Sequence, residues 1–451
     1  MSFLARYFGW IVFVSFMGCG PVLEVPPLGD AGRMDPLTFE AVEWTRKTLV
    51  KHPRDPNAWA NLGLVLVDSG QLIEARKCLE NAAYLDPKNP RYPYLLGWSF
   101  LPGKPEIAVK YLQTALEQAA QSDPQNPAPY LRLAEALRLL GQDNDAINVL
   151  GSLETKTQKD PLGSLILAEI AFAKGNDLEA KNLLQEVPEV AYLAKRRKLL
   201  LLLLTVDSYP TVIDGHSIEE IRHLPEDPDW PDPFLLTGKP EAMGLRGAFR
   251  LAVAMESKGR WPEAANLLQK IWTTNGDGRA RIGLVSALIA LARWEDAKKL
   301  IEADSSNPLN PLLWARWYLA HGDQLVAMEK GEDARVEFTE GLARLGSRFP
   351  EFRSVEGLGL RCRLLWRLED WLGLKEASQC YLEKVPHHLG SMAFLCLSKR
   401  QLGQSGKNCD IRTLREIKYP DPFPETEKVL DLLDKPHKPL APKTSQRNPK
   451  R

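Results

Sequence analysis

The side chains of this chain best suited to chemistry are its six cysteines and seven histidines. Five of them gather near the C-terminal end: Cys380, His387, His388, Cys396 and Cys409. Thiolates and imidazoles are metal ligands, but a zinc knuckle needs short paired spacings such as Cys-x2-Cys, and none occurs here. Cys362 with Cys380, and Cys396 with Cys409, could instead form disulfides, a connectivity that spacing leaves open. Cys78 reads as a small buried apolar residue. Catalytic arrangements are missing: there is no Gly-x-Ser-x-Gly elbow, no phosphate-cradling loop ending in Lys-Ser/Thr and no His-Glu-x-x-His. The 58 basic residues balance 58 acidic ones, so no global field attracts nucleic acid. No catalytic residue, metal, cofactor or nucleic-acid partner is therefore expected. A metal- or cofactor-associated role for the Cys/His cluster stays as a rival reading.

The elements that would have to position any site are helical. From Pro56 to Asn89, apolar and small residues recur at helical spacing in two runs joined by a turn: Trp59, Leu62, Gly63, Leu66, Gly70, Ala75, Leu79, Ala82 and Pro87. Gly63 and Ala75 suit a close helix crossing, and Trp59, Leu66 and Leu79 fill the space around it. This pattern resembles the tetratricopeptide repeat, position for position. The small residue of the second helix recurs as Ala41, Ala75, Ala108, Ala146, Ala180, Ala264, Ala297, Ala334 and Ala377, near the family period of about 34 residues. Gly97, Gly141, Gly175 and Gly259 continue the glycine pattern, while Gly331 and Gly373 are displaced from it. Ala41 heads a helix with no partner before it, as if the array began with half a repeat.

The resemblance implies an all-α, right-handed solenoid of stacked helical hairpins, a superhelix whose first helices line a concave face. On that face would lie Tyr94, Trp98, Arg132, Glu135 and Arg138, a mixture suited to an extended acidic or aromatic peptide. For the aromatics, core packing is the competing role. Ala60 and Leu64 stand where relatives that bind a C-terminal carboxylate carry clamp residues, so that ligand is not expected.

A longer period overlies the repeats. Gly70, Ala75, Leu79 and Ala108 each have a counterpart 189 residues on, at Gly259, Ala264, Leu268 and Ala297, and so does the tetrapeptide Pro-Asp-Pro-Phe, which ends at Phe234 and again at Phe423. Two tandem modules follow: 37–186 and 241–403, with a closing helix and Pro-rich loop at 187–240 and a closing segment at 404–432. Each Phe is expected to plug the end of its solenoid half. Lys195 to Lys198 precede six leucines, Leu199 to Leu204, which predicts a buried closing helix with its charges snorkelling at one end. Residues 433–451 read as a disordered basic tail.

The N-terminus supplies the remaining signal. A short basic head, an apolar run from Tyr7 to Met17 and the small-residue exit Gly18-Cys19-Gly20 make a secretory signal peptide over 1–19. It resembles the bacterial lipoprotein signal, with Phe16 where that family prefers Leu, Val or Ile, and the resemblance implies lipidation of Cys19. Residues 20–36 would be a flexible tether. The expected function is a non-catalytic scaffold of the cell envelope, held to a membrane by its lipid or signal anchor and binding a protein or peptide on its concave face. A structural lipoprotein of an envelope assembly, without a peptide groove, is the alternative.

Overall fold

The computed structural model describes residues 23–27, 32, 34–154, 160–185, 187, 193–206, 230–303, 310–346, 354–385, 388–404, 409, 411–416 and 423–435. Among these residues there is no strand, and most of them lie in helices. The first half consists of α1 (Pro36–Lys51), α2 (Pro56–Asp68), α3 (Leu72–Leu85), α4 (Arg91–Phe100), α5 (Pro105–Ser122), α6 (Ala128–Leu139), α7 (Asp143–Glu154), α8 (Pro161–Ala173), α9 (Asp177–Gln185) and α10 (Ala194–Val206). The second comprises α11 (Leu245–Ser257), α12 (Trp261–Asn275), α13 (Gly278–Ala290), α14 (Trp294–Glu302), α15 (Asn310–Ala327), α16 (Gly331–Leu345), α17 (Val355–Arg367), α18 (Trp371–Lys384), α19 (Leu389–Gln401), α20 (Ile411–Glu416) and α21 (Thr426–Asp434). Consecutive helices pack on one another along the chain, which makes the molecule an all-α solenoid of stacked hairpins.

Local chemistry explains the helix starts. Asp55 and Asp160 each cap a helix that opens with proline, their carboxylates accepting from Asn57 and Leu162 backbone N–H groups at 2.9 and 2.8 Å. Proline costs nothing at that position because its missing donor would be unpaired anyway. The hairpins then close through the small residues. A β-carbon placed on Gly63 would lie 2.8 Å from Leu79 Cγ, and one on Gly97 would lie 2.6 Å from Leu112 Cγ. Trp59, Leu62, Ala75, Leu79 and Ala82 are fully buried, as are Ala108, Ala146, Ala180, Ala264 and Ala297. Pro87 ends its repeat in an exposed turn.

The turns account for the weaker pattern of the second half. Gly70 and Gly259 sit at φ +81° and +69°, the left-handed region that glycine enters without a β-carbon clash. At the corresponding turns before α16 and α18 that conformation is taken by Glu329 (φ +61°) and Glu369 (φ +56°). The glycines at 331 and 373 therefore stand inside the following helices. They are displaced because another residue bears the strain.

Two expectations about the first half change. Leu23–Pro27 belong to the fold: Leu23 and Val25 pack against the first-half core and Arg46 donates to the Pro26 carbonyl. The proposed tether over 20–36 is thus packed at its middle, because it carries apolar side chains that α1 can cover. Nor does α1 begin the array unpartnered. Thr38 lies against Gly244, accepts from the Leu245 N–H at 3.0 Å, and Asp35 accepts from Asn275 at 2.8 Å. Leu37 belongs to the core formed by α11 to α15. The start of the second half is packed back onto the first helix of the chain.

Candidate functional site

The first helices of the first four hairpins, α2, α4, α6 and α8, turn one side inward. On it lie Asn57 and Asn61, Arg91, Tyr94 and Trp98, then Arg132, Glu135 and Arg138, then Glu169. Of the five residues expected there, Tyr94 and Arg132 meet Asp232, Glu135 and Arg138 belong to ion pairs, and Trp98 lies under Arg250. The groove at Tyr94 and Arg132 is filled by the chain itself. Residues 230–237 run along it as turns and irregular backbone.

The contacts are chemically specific. Tyr94, fully buried, donates its hydroxyl to the Asp232 carboxylate. Arg132 approaches the same carboxylate at 3.6 Å. Phe234 lies on the Tyr94 ring with centroids 4.9 Å apart, and its N–H closes a turn on Asp232 at 2.9 Å. Arg91 grips the backbone, donating to the carbonyls of Phe234 and Thr237 at 3.1 and 3.2 Å. Its other donors reach Asn57 and Asn61. Farther along, Arg250 of α11 forms an ion pair with Asp68 at 2.8 Å and lies over the Trp98 ring.

Beneath the occupant runs a chain of alternating charges. Arg132 pairs with Glu135 at 2.8 Å, Glu135 with Arg196 at 3.0 Å, Arg196 with Glu169 at 3.0 Å, and Glu169 with Arg138 at 3.0 Å. Burial pushes the Asp232 carboxyl above the ordinary range, and Arg132 and Tyr94 only partly counter this. For Tyr94, burial and then the neighbouring Asp232 hold the phenol well above its usual value. The proton therefore stays on Tyr94 and the bond is a phenol donating to a carboxylate.

Arg196 departs from its expected role. It does not snorkel at the end of α10 but turns toward Glu135 and Glu169, because two buried carboxylates need a counter-charge. Leu200 and Leu204, one and two turns farther along the same face, are buried, while Leu199 and Leu203 stay exposed. Phe234 is likewise no end plug, since its position beside Asp232 seats it on the second hairpin.

Phe423, the last residue of the C-terminal tetrapeptide, behaves differently. Phe423 packs among Tyr381, His388 and Phe394, with centroids 5.5, 4.6 and 5.7 Å away, and covers α17 to α19. Glu425, buried, accepts from Arg363 at 3.0 Å and from Arg367 at 3.1 Å. Here the aromatic does close an end of the helical stack. Cys396 and Cys409 form a disulfide with Cα atoms 5.4 Å apart, fastening the closing segment to α19. Cys362 and Cys78 are buried thiols, both pushed up to about 12 by burial. Cys380 is exposed. Among the described residues no group of three or more His, Cys, Asp or Glu could hold a metal. His387 and Cys19 lie outside the described residues.

His388 is the N-cap of α19, its Nδ1 accepting from the Ser391 N–H at 3.0 Å. Burial lowers its pKa to about 3, with the Arg197 guanidinium adding to the effect. A histidine depressed in the folded state contributes stability that is present above its unfolded value near 6.5 and lost as pH falls below it. From pH 7.5 to pH 5 the loss should be about 2 kcal/mol. His388→Asn keeps a capping oxygen and cannot titrate. Urea unfolding at the two pH values should show a smaller acid loss in the variant, and an equal loss in both proteins would reject the assignment.

Residues 56–89 and residues 103–165 match family models described as tetratricopeptide repeat. A search of curated proteins finds no match. Among solved structures, the chain is similar to a tetratricopeptide repeat protein from Parabacteroides merdae ATCC 43184 at 14% identity and a TM-score of 0.23, covering 69% of this chain and 94% of that one. It is similar to yeast Tom70 at 14% identity and a TM-score of 0.26, covering 84% and 95%. A third likeness is to the P58(IPK) TPR domain at 15% identity and a TM-score of 0.23, covering 78% and 99%.

Proposed function

We propose that this chain is a non-catalytic scaffold of the cell envelope, lipid-anchored at Cys19, that binds an extended segment of a partner protein on its concave side. The observation that carries the reading is the filled groove. A helix-lined surface that clasps a carboxylate with Tyr94 and Arg132, stacks an aromatic and grips two carbonyls with Arg91 has the chemistry of peptide recognition. In the second half the corresponding helix faces carry Phe249, Val253, Ile282 and Ser286, half-buried, with Arg279 over the Phe249 ring at 4.8 Å. This is the surface proposed for the partner.

Affinity capture of the anchored protein from its native envelope tests the reading. Phe249→Ala with Arg279→Glu should reduce the captured partner at least tenfold, whereas Leu178→Ser, on an exposed position of α9, should not. Equal loss from both, or from neither, would favour the envelope-assembly reading, in which contacts run through convex faces. For the anchor, Cys19→Ser should leave the precursor unprocessed or release the protein from the membrane fraction. A soluble wild type whose mature N-terminus is not Cys19 would remove lipidation from the proposal.

A further inference from the structure

We propose that the first-half groove is an exchangeable peptide site. Residues 230–237 are its resting occupant, and a partner segment with an aspartate two residues ahead of a phenylalanine, its turn preset by flanking prolines, takes their place. This extends the scaffold reading to a second surface and is tested separately from it.

Three observations support exchange. The first is that recognition resides in a short, portable motif. Pro-Asp-Pro-Phe occurs twice in the chain, and its two phenylalanines sit in different pockets, one on Tyr94 and the other among Tyr381, His388 and Phe394. Proline on either side of the aspartate fixes φ before binding, so little conformational freedom is lost when such a segment docks. A segment supplied by another protein would meet the same low ordering cost.

The second is that the cradle does not depend on its occupant. Arg132 keeps Glu135, Glu135 keeps Arg196, and Arg196 keeps Glu169. Arg91 keeps both asparagines of α2. If residues 230–237 leave, the donors that read the carboxylate and the backbone stay where they are. A preformed site of this kind binds without the cost of assembling itself.

The third is how the occupant is held. It forms no helix and no ladder: Trp230 and Leu235 are buried in the first-half core, the Asp232 carboxylate and the Phe234 ring meet Tyr94, and two carbonyls accept from Arg91, contacts that a second segment of the same sequence would make equally. A ligand competing from solution sees its affinity reduced by the fraction of molecules whose groove is closed.

The test uses the full chain and a fluorescent peptide of sequence Trp230 to Thr237. Weakening the internal occupant by Asp232→Asn with Phe234→Ala should tighten binding of the free peptide about tenfold or more relative to wild type. Tyr94→Phe, which removes one hydroxyl, and Arg132→Gln should each weaken it in that weakened background. A peptide with Asn for the aspartate and Ala for the phenylalanine should not bind. Helical circular dichroism checks that each variant is folded. Because the variants could perturb folding, the wild type supplies a second readout. Excess peptide should raise amide hydrogen exchange in residues 235–237 while residues 91–98 stay protected. Equal peptide affinity for wild type and the weakened chain, or unchanged exchange under excess peptide, would make residues 230–237 a permanent part of the core and overturn the proposal. Partner capture through the second half would survive that result.

Discussion

Arg132→Leu should lower the stability of the first half by about 3–5 kcal/mol, the usual penalty for removing one partner of a buried charge pair. Arg132 is buried between two carboxylates, Glu135 at 2.8 Å and Asp232 at 3.6 Å, and the three side chains are almost wholly shielded from water. Burial acts to lower the arginine pKa, but Glu135, Tyr94 and Asp232 together hold it well above its ordinary value. Glu135 retains Arg196 after the substitution. Asp232 keeps the Tyr94 hydroxyl, its own turn and the more distant charges of Arg250 and Arg91. Most of the loss should therefore come from Asp232, and Asp232→Asn in the Arg132→Leu background should recover a large part of it, since the amide still accepts from Tyr94 without a charge. Denaturant unfolding of the two single variants and the double variant gives the coupling. Additive effects within about 0.5 kcal/mol would show that the two side chains do not act as a pair.

The second large effect is steric. Gly97→Leu would place four carbons where even the first lies 2.6 Å from Leu112 Cγ, and the Ala108 carbonyl, at 3.1 Å, closes the other side. Leu112 is fully buried and has nowhere to retreat. Gly63→Leu meets Leu79 in the same way at 2.8 Å. Overpacking of this kind costs about 1–3 kcal/mol, with Gly97 at or above the upper figure because its approach to the facing leucine is the closer of the two, 2.6 against 2.8 Å. Gly151→Ala is the control, since nothing stands within 4 Å of its added carbon. The expected melting order is control, then Gly63→Leu, then Gly97→Leu as the least stable. A Gly97→Leu protein that melts with the control would reject the hairpin packing.

How much of this was legible depends on whether a residue's role is set by its neighbours in sequence. Trp59, Gly63, Ala75 and Leu79 act within one hairpin, so their spacing alone declares the repeat. Tyr94, Arg132 and Glu135 could be placed on the concave face because helical period fixes which side a residue occupies. What covers that face could not be read in the same way. Asp232 is 138 residues from Tyr94, and no local pattern records such a distance. The repeated tetrapeptide was the available signal. It pointed to a device used twice, yet the two phenylalanines sit on different surfaces, so analogy between them misplaced Phe234. Arg196 was hidden for another reason: an arginine in a basic run looks solvated until the carboxylates that bury it are known. Arg250 stands in an apolar stretch, and its partner Asp68 is 182 residues away. The turns at Glu329 and Glu369 were obscured because an acidic residue bears a conformation usually assigned to glycine.

The returning segment also sets an order in time. In a plain solenoid every contact is between neighbours, and each hairpin can settle as soon as the next is made. Here Asp68 waits for Arg250, Tyr94 for Asp232 and Thr38 for Leu245, separations of 182, 138 and 207 residues. Contacts so distant along the chain slow folding, because a long loop must close before they form. During synthesis the helices of the first half emerge with a buried-type arginine and an uncovered tyrosine, and they remain incomplete until Arg250, just past the middle of the polypeptide, has been made. The first half thus passes through a stage in which its inner surface is open to any extended segment within reach.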